Sequence, residues 1–328
     1  MDVSIIIVNY KTPDLVIDCI KSVKEKTQGL SYEIIVVDND SQDGSLEQIE
    51  AAFGKSIQII DSGSNLGFGK ANNLGAQYAT GKYLFLLNSD TVLINNAIKI
   101  LFDYIEAHQD VGVVGGNLYT EELTPSVSYD SEFDEIADIK AKASWHRIVC
   151  DLVVRQIDRR IKNAKYRQHR IYGKYFNFSN RPKSVAYIFG ADMMIRKQIF
   201  DQVQGFDKRF FMYSEEEEMT WRIQQQGYKS VNVPDAKIVH YNGSSSKPSA
   251  GVYNPKALKM RNMGRYTYYM IRFGRHGLDE YYEYTMKYYD RIIRLSKLLH
   301  REKLEKHAVG EKKLIDDFMT SFLKDYLE

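Results

Sequence analysis

The sequence predicts an α/β protein built on a mostly parallel sheet with helices on both faces. Three observations carry that expectation. Short β-branched apolar runs alternate with stretches of helical periodicity through the first 114 residues. The apolar runs are continuous rather than alternating, as in strands buried on both faces. They also end in clusters of Asp, Asn and Ser, where open α/β sheets bind ligands.

Taken in order, Ser4–Val8 is a buried strand and Asp14–Lys26 a helix with Leu15, Ile17, Cys19, Ile20 and Val23 on its apolar side. Glu33–Val37 is a second strand, closed by Asp38-Asn-Asp-Ser41. Ser45–Phe53 reads as a helix, Ile57–Ile60 as a strand, Asn72–Tyr78 as a helix and Tyr83–Leu87 as a strand closed by Asn88-Ser-Asp90. Ile94–His108 continues as helix and Val111–Val114 as strand. Asp134–Tyr175 is helical, basic and rich in long side chains, and has the character of an insertion. Ala186–Ile195 returns to strand-like sequence, and Glu215–Gln226 is a helix stopped by Gly227. Val231–Pro234 and Lys237–His240 are short strands, and the pattern is helical from Asn254 to the end. The expected division is a domain over 1–252, with the insertion at about 134–175, and a helical extension over 253–328.

Composition narrows the function classes. Two cysteines, Cys19 and Cys150, stand far apart and define neither a disulfide framework nor a CxxC metal site. No secretory signal or bilayer-length apolar run is visible, so a cytoplasmic protein is expected, at most peripheral to the membrane. The net charge of +2 conceals a basic segment. Between Arg155 and Lys174, eight cations (Arg155, Arg159, Arg160, Lys162, Lys165, Arg167, Arg170 and Lys174) face the single acid Asp158. Ile148, Leu152, Val153 and Ile157 form an apolar side beside them, a pattern suited to an anionic membrane surface. Tyr281, Tyr282, Tyr284, Tyr288 and Tyr289, among Lys287, Arg291 and Arg294, extend it. Packing on the protein itself, or a homodimer contact, is the competing use of these helices. No nucleic-acid motif accompanies the cations, so a nucleic-acid partner is not expected.

Two polar clusters end neighbouring strands. Asp38 and Asp40 follow one, Asn88, Ser89 and Asp90 the other. Each acid alone is a common loop or helix-cap residue. A carboxylate at the mouth of a buried strand, however, is held rigidly and suits a hard divalent cation. His240 ends a later strand ahead of Gly243-Ser-Ser-Ser246 and is the second candidate ligand, with an ordinary structural histidine as the alternative. Gly67-Phe-Gly-Lys-Ala-Asn-Asn73 opens a helix near which a phosphate could meet backbone N–H groups, though it is neither a Walker loop nor a dinucleotide fingerprint. Glu215–Glu218 places four acids in one helical turn after Phe210-Phe-Met-Tyr213. Such a run suits the helix dipole, and apolar walls raise a carboxylate toward the range of a general base.

Together these segments resemble glycosyltransferase family 2, in particular its bacterial rhamnosyltransferase-like members. The resemblance covers Val3 to Ser246 and rests on ordered motifs: Val3–Tyr10, Val36–Ser41, Asn65–Gly75, Leu86–Asp90, and Gly205-Phe-Asp207 with Phe210–Tyr213 before the acids. It implies a GT-A type, Rossmann-like domain. Asn9 and Tyr10 would hold the donor's base, with Asp38 on its imide edge, a feature of both uracil and thymine. Asp40, Gly67, Lys70, Asn72, Asn88 and Ser89 fall in the donor-binding motifs. Asp90 would contact Mg2+ or Mn2+, with His240 completing the site in the His-x-x-Gly-x-Ser pattern. Glu215–Glu218 matches the family's Glu-Asp-x-Asp position by position, so Glu216 would be the base. Glu stands there where the family has Asp, which leaves Glu215 as the other candidate. The implied reaction is inverting transfer of a sugar from a dTDP or UDP donor to a hydroxyl of a glycan or lipid-linked acceptor in cell-surface polysaccharide synthesis. dTDP-rhamnose is the leading donor, with UDP-galactose, UDP-N-acetylhexosamine and UDP-glucose as alternatives. A nucleotide-sugar-binding protein without catalysis is the competing class, and Asp90 with the acidic run argues against it.

Overall fold

The computed structural model describes residues 1–150, 172–241 and 255–327. They fall into two compact units, the first Met1–Phe133 with Gln168–Ser249 and the second Asp134–Arg167 with Ala250–Glu328.

The first unit is a mixed sheet covered on both faces. Its strands are β1 (Val3–Asn9), β2 (Tyr32–Asp38), β3 (Gln58–Asp61), β4 (Tyr83–Asn88), β5 (Thr91–Leu93), β6 (Val111–Tyr119), β8 (Lys183–Val185), β10 (Asp192–Arg196) and β11 (Lys229–His240). They run in the order β3-β2-β1-β4-β10-β6-β11-β5, with β8 also on β11. A separate ribbon pairs β7 (Tyr129–Asp130) with β9 (Tyr187–Ile188). The first four strands in that order are parallel, as are β6 and β11. β10 is antiparallel to both of its neighbours, and β5 and β8 are antiparallel to β11.

The parallel strands alternate between two cores, which is why their sequences read as unbroken apolar runs. Val3, Ile5, Ile7, Phe85 and Leu87 pack beneath α1 (Pro13–Lys26), α2 (Ser45–Phe53) and α4 (Ala97–Ala107). Ile6, Ile35, Val37, Leu84 and Leu86 pack beneath α3 (Phe68–Tyr78), α6 (Lys197–Gln202) and α7 (Glu215–Gln225). The two short strands expected near His240 form one strand. Its register against β6 shifts between Asn232 and Lys237, around Pro234, which has no N–H to give the ladder. β5 occupies three residues for which the sequence predicts no element, ahead of the helix expected from Ile94, because the turn at Asn88–Thr91 sends the chain onto the edge of β11.

Arg196 fastens β10 to its surroundings. Its Nε donates to the Val111 carbonyl at 2.9 Å, Nη1 to the Tyr83 hydroxyl at 2.9 Å, and Nη2 to the carbonyls of Ile105 and His108 at 2.5 and 3.0 Å.

The second unit comprises α5 (Ile136–Ala143), α8 (Pro255–Leu298) and α9 (Glu302–Leu327). A reciprocal capping box between Glu135 and Asp138 opens α5, and Gly274, at φ 68°, breaks α8. The sequence reading kept the insertion with the first domain; of its described residues, Asp134–Cys150 group with the C-terminal helices and Tyr172–Tyr175 with the first unit. The reason is the pairing of α5 with α8: Lys140 with Glu280 at 2.7 Å, Arg272 with Glu135 at 2.9 Å, and Arg291 on the Ala143 carbonyl. The expected boundary at 252/253 lies outside the described residues.

The tyrosines expected at a membrane surface are engaged within this unit. Tyr281 stacks on Tyr269 at 4.2 Å, Tyr289 bonds Glu311 at 3.2 Å, and Tyr282 bonds Asp316. Ile148, expected on an apolar surface side, is buried. No described helix is long and apolar enough to cross a membrane.

Removing the Arg196 guanidinium in Arg196→Ala orphans buried carbonyls. It should lower the unfolding free energy by about 2–4 kcal/mol, read from urea denaturation as a shifted midpoint at unchanged m-value.

Candidate active site

The register of the parallel strands aligns their carboxyl ends. Asn9 sits opposite Asp38 across β1 and β2, and Val8 sits opposite Asn88 across β1 and β4. Asn9 is fully buried, and its Nδ2 donates to Asp38 Oδ1 at 2.6 Å and to Ser41 Oγ at 3.1 Å. Ser41 in turn donates its hydroxyl to Asp38 Oδ1 at 2.6 Å and its N–H to Oδ2 at 3.0 Å. Asp38 is thus the anchored centre of this mouth, and Asn9 orients it. Tyr10 stands exposed beside it with the Lys11 ammonium 5.4 Å from its ring. Asp40 takes a left-handed φ of 63° and accepts from Gln42 Nε2 at 2.6 Å. A hollow of about 200 Å3 opens beyond β2, lined by Asp38, Asp40, Ser41, Gln42 and Asp61 among others.

The loop before α3 is held by asparagines. Asn39 accepts the Leu66 N–H at 2.8 Å and donates to Asn65, whose Oδ1 accepts the Gly67 N–H at 3.1 Å. Gly67 has φ 81°, and a Cβ there would lie 2.0 Å from the Phe211 carbonyl oxygen. The next N–H, of Phe68, donates to that same oxygen at 3.0 Å. Lys70 is half-buried in the first turn of α3. Asn72 is buried and donates to the Phe68 carbonyl at 3.0 Å. Asn73, by contrast, bridges to Phe206, donating to its carbonyl at 2.8 Å and accepting its N–H at 2.9 Å.

Asp90 and His240, 150 residues apart in sequence, come together. His240 Nε2 lies 3.2 Å from Asp90 Oδ1, and both side chains are largely buried. The cause is the β5–β11 pairing, which sets Thr91 opposite His240, with the Tyr241 N–H on the Asp90 carbonyl at 2.9 Å. Asn88 ends β4 with its N–H on the Ala191 carbonyl at 3.0 Å, and Ser89 Oγ lies 3.4 Å from Thr12 Oγ1. No cluster of three or more His, Cys, Asp or Glu that could hold a metal occurs among the described residues. Gly243–Ser246 lies outside them.

The four acids of α7 are sorted by burial. Two left-handed residues, Tyr213 at φ 73° and Ser214 at φ 68°, deliver the chain into the helix. Glu215, Glu217 and Glu218 are each about 1% exposed, and Glu216 is half-exposed. Glu218 is clasped by Arg222 through two bonds of 2.7 Å. Arg222 also holds the carbonyls of Val203 and Gly205. Glu215 packs toward Gly69 of α3, and its Oε2 has no hydrogen-bond partner. Burial first, and the charge of Glu216 second, push the Glu215 carboxyl well above the usual carboxylate range.

One residue escaped the sequence reading. Asp192, opening β10 next to the Ala191 carbonyl that anchors Asn88, is fully buried. Its Oδ2 accepts the Gly116 N–H at 2.6 Å, Oδ1 has no partner, and burial raises its pKa well above 3.8. A lone acid inside the apolar run Ala186–Ile195 was the available signal.

A mixed sheet covered on both faces by helices, with polar side chains gathered at its strand ends, is the architecture of a glycosyltransferase of the GT-A type. The family model of glycosyl transferase family 2 matches residues 4–204, and the chain belongs to that family. The N-acetylglucosaminyl-diphospho-decaprenol L-rhamnosyltransferase of Mycobacterium tuberculosis (strain ATCC 25618 / H37Rv) is 24% identical over 232 residues, 65% of this chain and 67% of that protein. The rhamnosyltransferase WbbL of Escherichia coli K12 is 23% identical over 246 residues, 73% of this chain and 83% of that protein. Among solved structures, the mannosyltransferase PcManGT of Pyrobaculum calidifontis, in complex with GDP-Man and Mn2+, superposes with a TM-score of 0.58 at 13% identity. That match covers 99% of this chain and 86% of that one.

Asp192 gives a pH signature. Its raised folded-state pKa means that its contribution to stability is complete below the unfolded value of 3.8 and is lost as pH rises from there toward the folded value. Stability of the wild type should therefore fall relative to Asp192→Asn as pH rises above about 4, by on the order of 1 kcal/mol per unit while the folded group stays protonated. Urea unfolding at a series of pH values reads this, and parallel curves would refute it. Gly67→Ala has no room for its methyl and should lower both melting temperature and transfer rate, since Phe211 must retreat.

Proposed function

We propose that this enzyme inverts the anomeric centre as it moves a sugar from a nucleotide-diphosphate donor to a hydroxyl of a glycan or lipid-linked acceptor. The single observation that carries the reading is the meeting of Asp90 with His240 at the mouth of the sheet, as the resemblance required. Rhamnose on dTDP is the donor best supported, because both relatives compared above are named rhamnosyltransferases. The mycobacterial name supports a lipid-linked acceptor, and with it a role in cell-surface polysaccharide synthesis at an anionic membrane surface. The basic stretch Arg155–Arg170 assigned to that surface lies outside the described residues. Lys174, at its end, is paired with Glu132 at 2.9 Å.

The residues present fit a divalent ion that the donor helps to hold. Asp90 supplies a hard oxygen and His240 a nitrogen at 3.2 Å from it. A carboxylate oxygen and an imidazole nitrogen this close together could hold one divalent ion between them, and its other ligands would come from the donor and water. When bound, Mg2+ or Mn2+ would neutralise charge on the departing diphosphate.

The chain's own groups do the rest. Asn9 orients Asp38 at the base end, and the Gly67–Lys70 turn faces the phosphates. Glu216 takes the proton of the acceptor hydroxyl, as its place in the family's acidic motif implies: it is the most exposed of the four acids, while burial pushes the Glu215 carboxyl well above the usual carboxylate range and Glu218 is ion-paired. Direct attack on the anomeric carbon needs no covalent sugar–enzyme species.

Glu216→Gln should lower kcat by about a hundredfold or more with donor affinity little changed, whereas Glu215→Gln should retain most activity. A dead Glu215→Gln beside an active Glu216→Gln would exchange their roles. Asp90→Asn should nearly abolish transfer and weaken Mn2+-dependent donor binding in a thermal-shift titration. NMR of the product should show inversion, and retained configuration would rule out direct displacement.

A further inference from the structure

The α8–α9 turn carries a surface that neither the catalytic site nor the family resemblance uses. α8 closes in a Schellman arrangement: His300 turns left-handed at φ 51°, its N–H bonds the Lys297 carbonyl at 3.1 Å, and the Arg301 N–H bonds that of Ser296 at 2.8 Å. In such a motif an apolar residue after the turn folds back on the last helical turn. Here that residue is Arg301, so nothing folds back. Leu298 and Leu299 remain 74% and 49% exposed on a turn held firmly by its backbone.

The surroundings of the two leucines are cationic. Arg294, Lys297, Arg301, Lys303 and Lys306 are all exposed, against Glu302 and Glu305 as the only acids between residues 294 and 306. Lys297 and Glu305 approach only to 3.8 Å, so the cations are weakly neutralised. Two leucines on one turn offer far less than the roughly 800 Å2 per partner of a stable protein interface. A fluid bilayer can close around such a turn. Its acyl boundary receives the leucines, and its headgroups meet ammonium and guanidinium groups on flexible stems.

We propose that the Leu298–Lys303 turn is a membrane-docking tip that inserts its leucine pair into anionic bilayers. It deepens the membrane side of the proposed function while resting on different residues, and it is tested without donor or acceptor. Full-length protein is sedimented with vesicles of phosphatidylcholine alone and of phosphatidylcholine with about one third phosphatidylglycerol, at low and high salt. The wild type should bind the anionic vesicles preferentially and release in salt. Leu298→Ser with Leu299→Ser should bind at least about tenfold more weakly at unchanged melting temperature, since both side chains are exposed. Lys297→Glu with Arg301→Glu and Lys303→Glu should remove the preference for anionic lipid. All variants keep Arg155–Lys174 intact. Wild-type binding that survives the serine changes therefore overturns the tip and leaves the membrane reading to that segment. Absence of wild-type binding, or equal binding to neutral vesicles, overturns the tip as well. A concentration-dependent dimer lost in the serine variant, without vesicle binding, overturns it in favour of a second copy.

Discussion

Everything at the active edge depends on strands that are buried on both faces. Such strands have no surface to spare for polar chemistry except at their ends, and the parallel register of β2, β1 and β4 lines those ends up. Asn9, Asp38 and Asn88 are neighbours for that reason alone. The hydrogen bonds among Asn9, Asp38 and Ser41 then convert an alignment of backbones into a fixed arrangement of side chains. The two apolar cores and the six helices that cover them serve to keep this edge in register.

The second half of the site is brought in against the direction of the first. β10 and the β5–β11 pair are antiparallel additions, and each delivers something the parallel strands lack. β11 brings His240 to Asp90, β10 sets Asp192 opposite Leu87 at the end of β4, and the chain after α6 leads into the acidic helix. The kink in register around Pro234 lets β11 serve both ends of β6 without a break.

How much of this could be read in the sequence follows the same divide. The parallel strands and their helices were legible because local periodicity encodes burial on both faces, and the motif residues at their ends were legible with them. Ser45–Phe53 matched to the residue, and Asp90 with His240 was anticipated as a pair. What was not legible depends on partners distant in the chain. Thr91–Leu93 is too short to read as a strand until β11 is beside it, and Asp192 looks like one more residue of an apolar run. The sorting of four adjacent glutamates was legible only in part. Helical geometry groups Glu215 with Glu218 and turns Glu216 away. That Arg222 takes Glu218, and that Glu215 is buried against Gly69 with its carboxyl pushed well above the usual range, follows from packing between helices.

The contact of Gly67 with Phe211 has a consequence for how such an enzyme can change over time. One loop is the one proposed to meet the donor and the other leads into the acids, yet they share a carbonyl oxygen and a space that excludes a single methyl group. A lineage altering its acceptor by remodelling the chain around Phe211 therefore meets the donor loop at once. A new sugar specificity at one end is inherited together with constraints from the other. Diversification at either loop is therefore coupled to the other through this one contact.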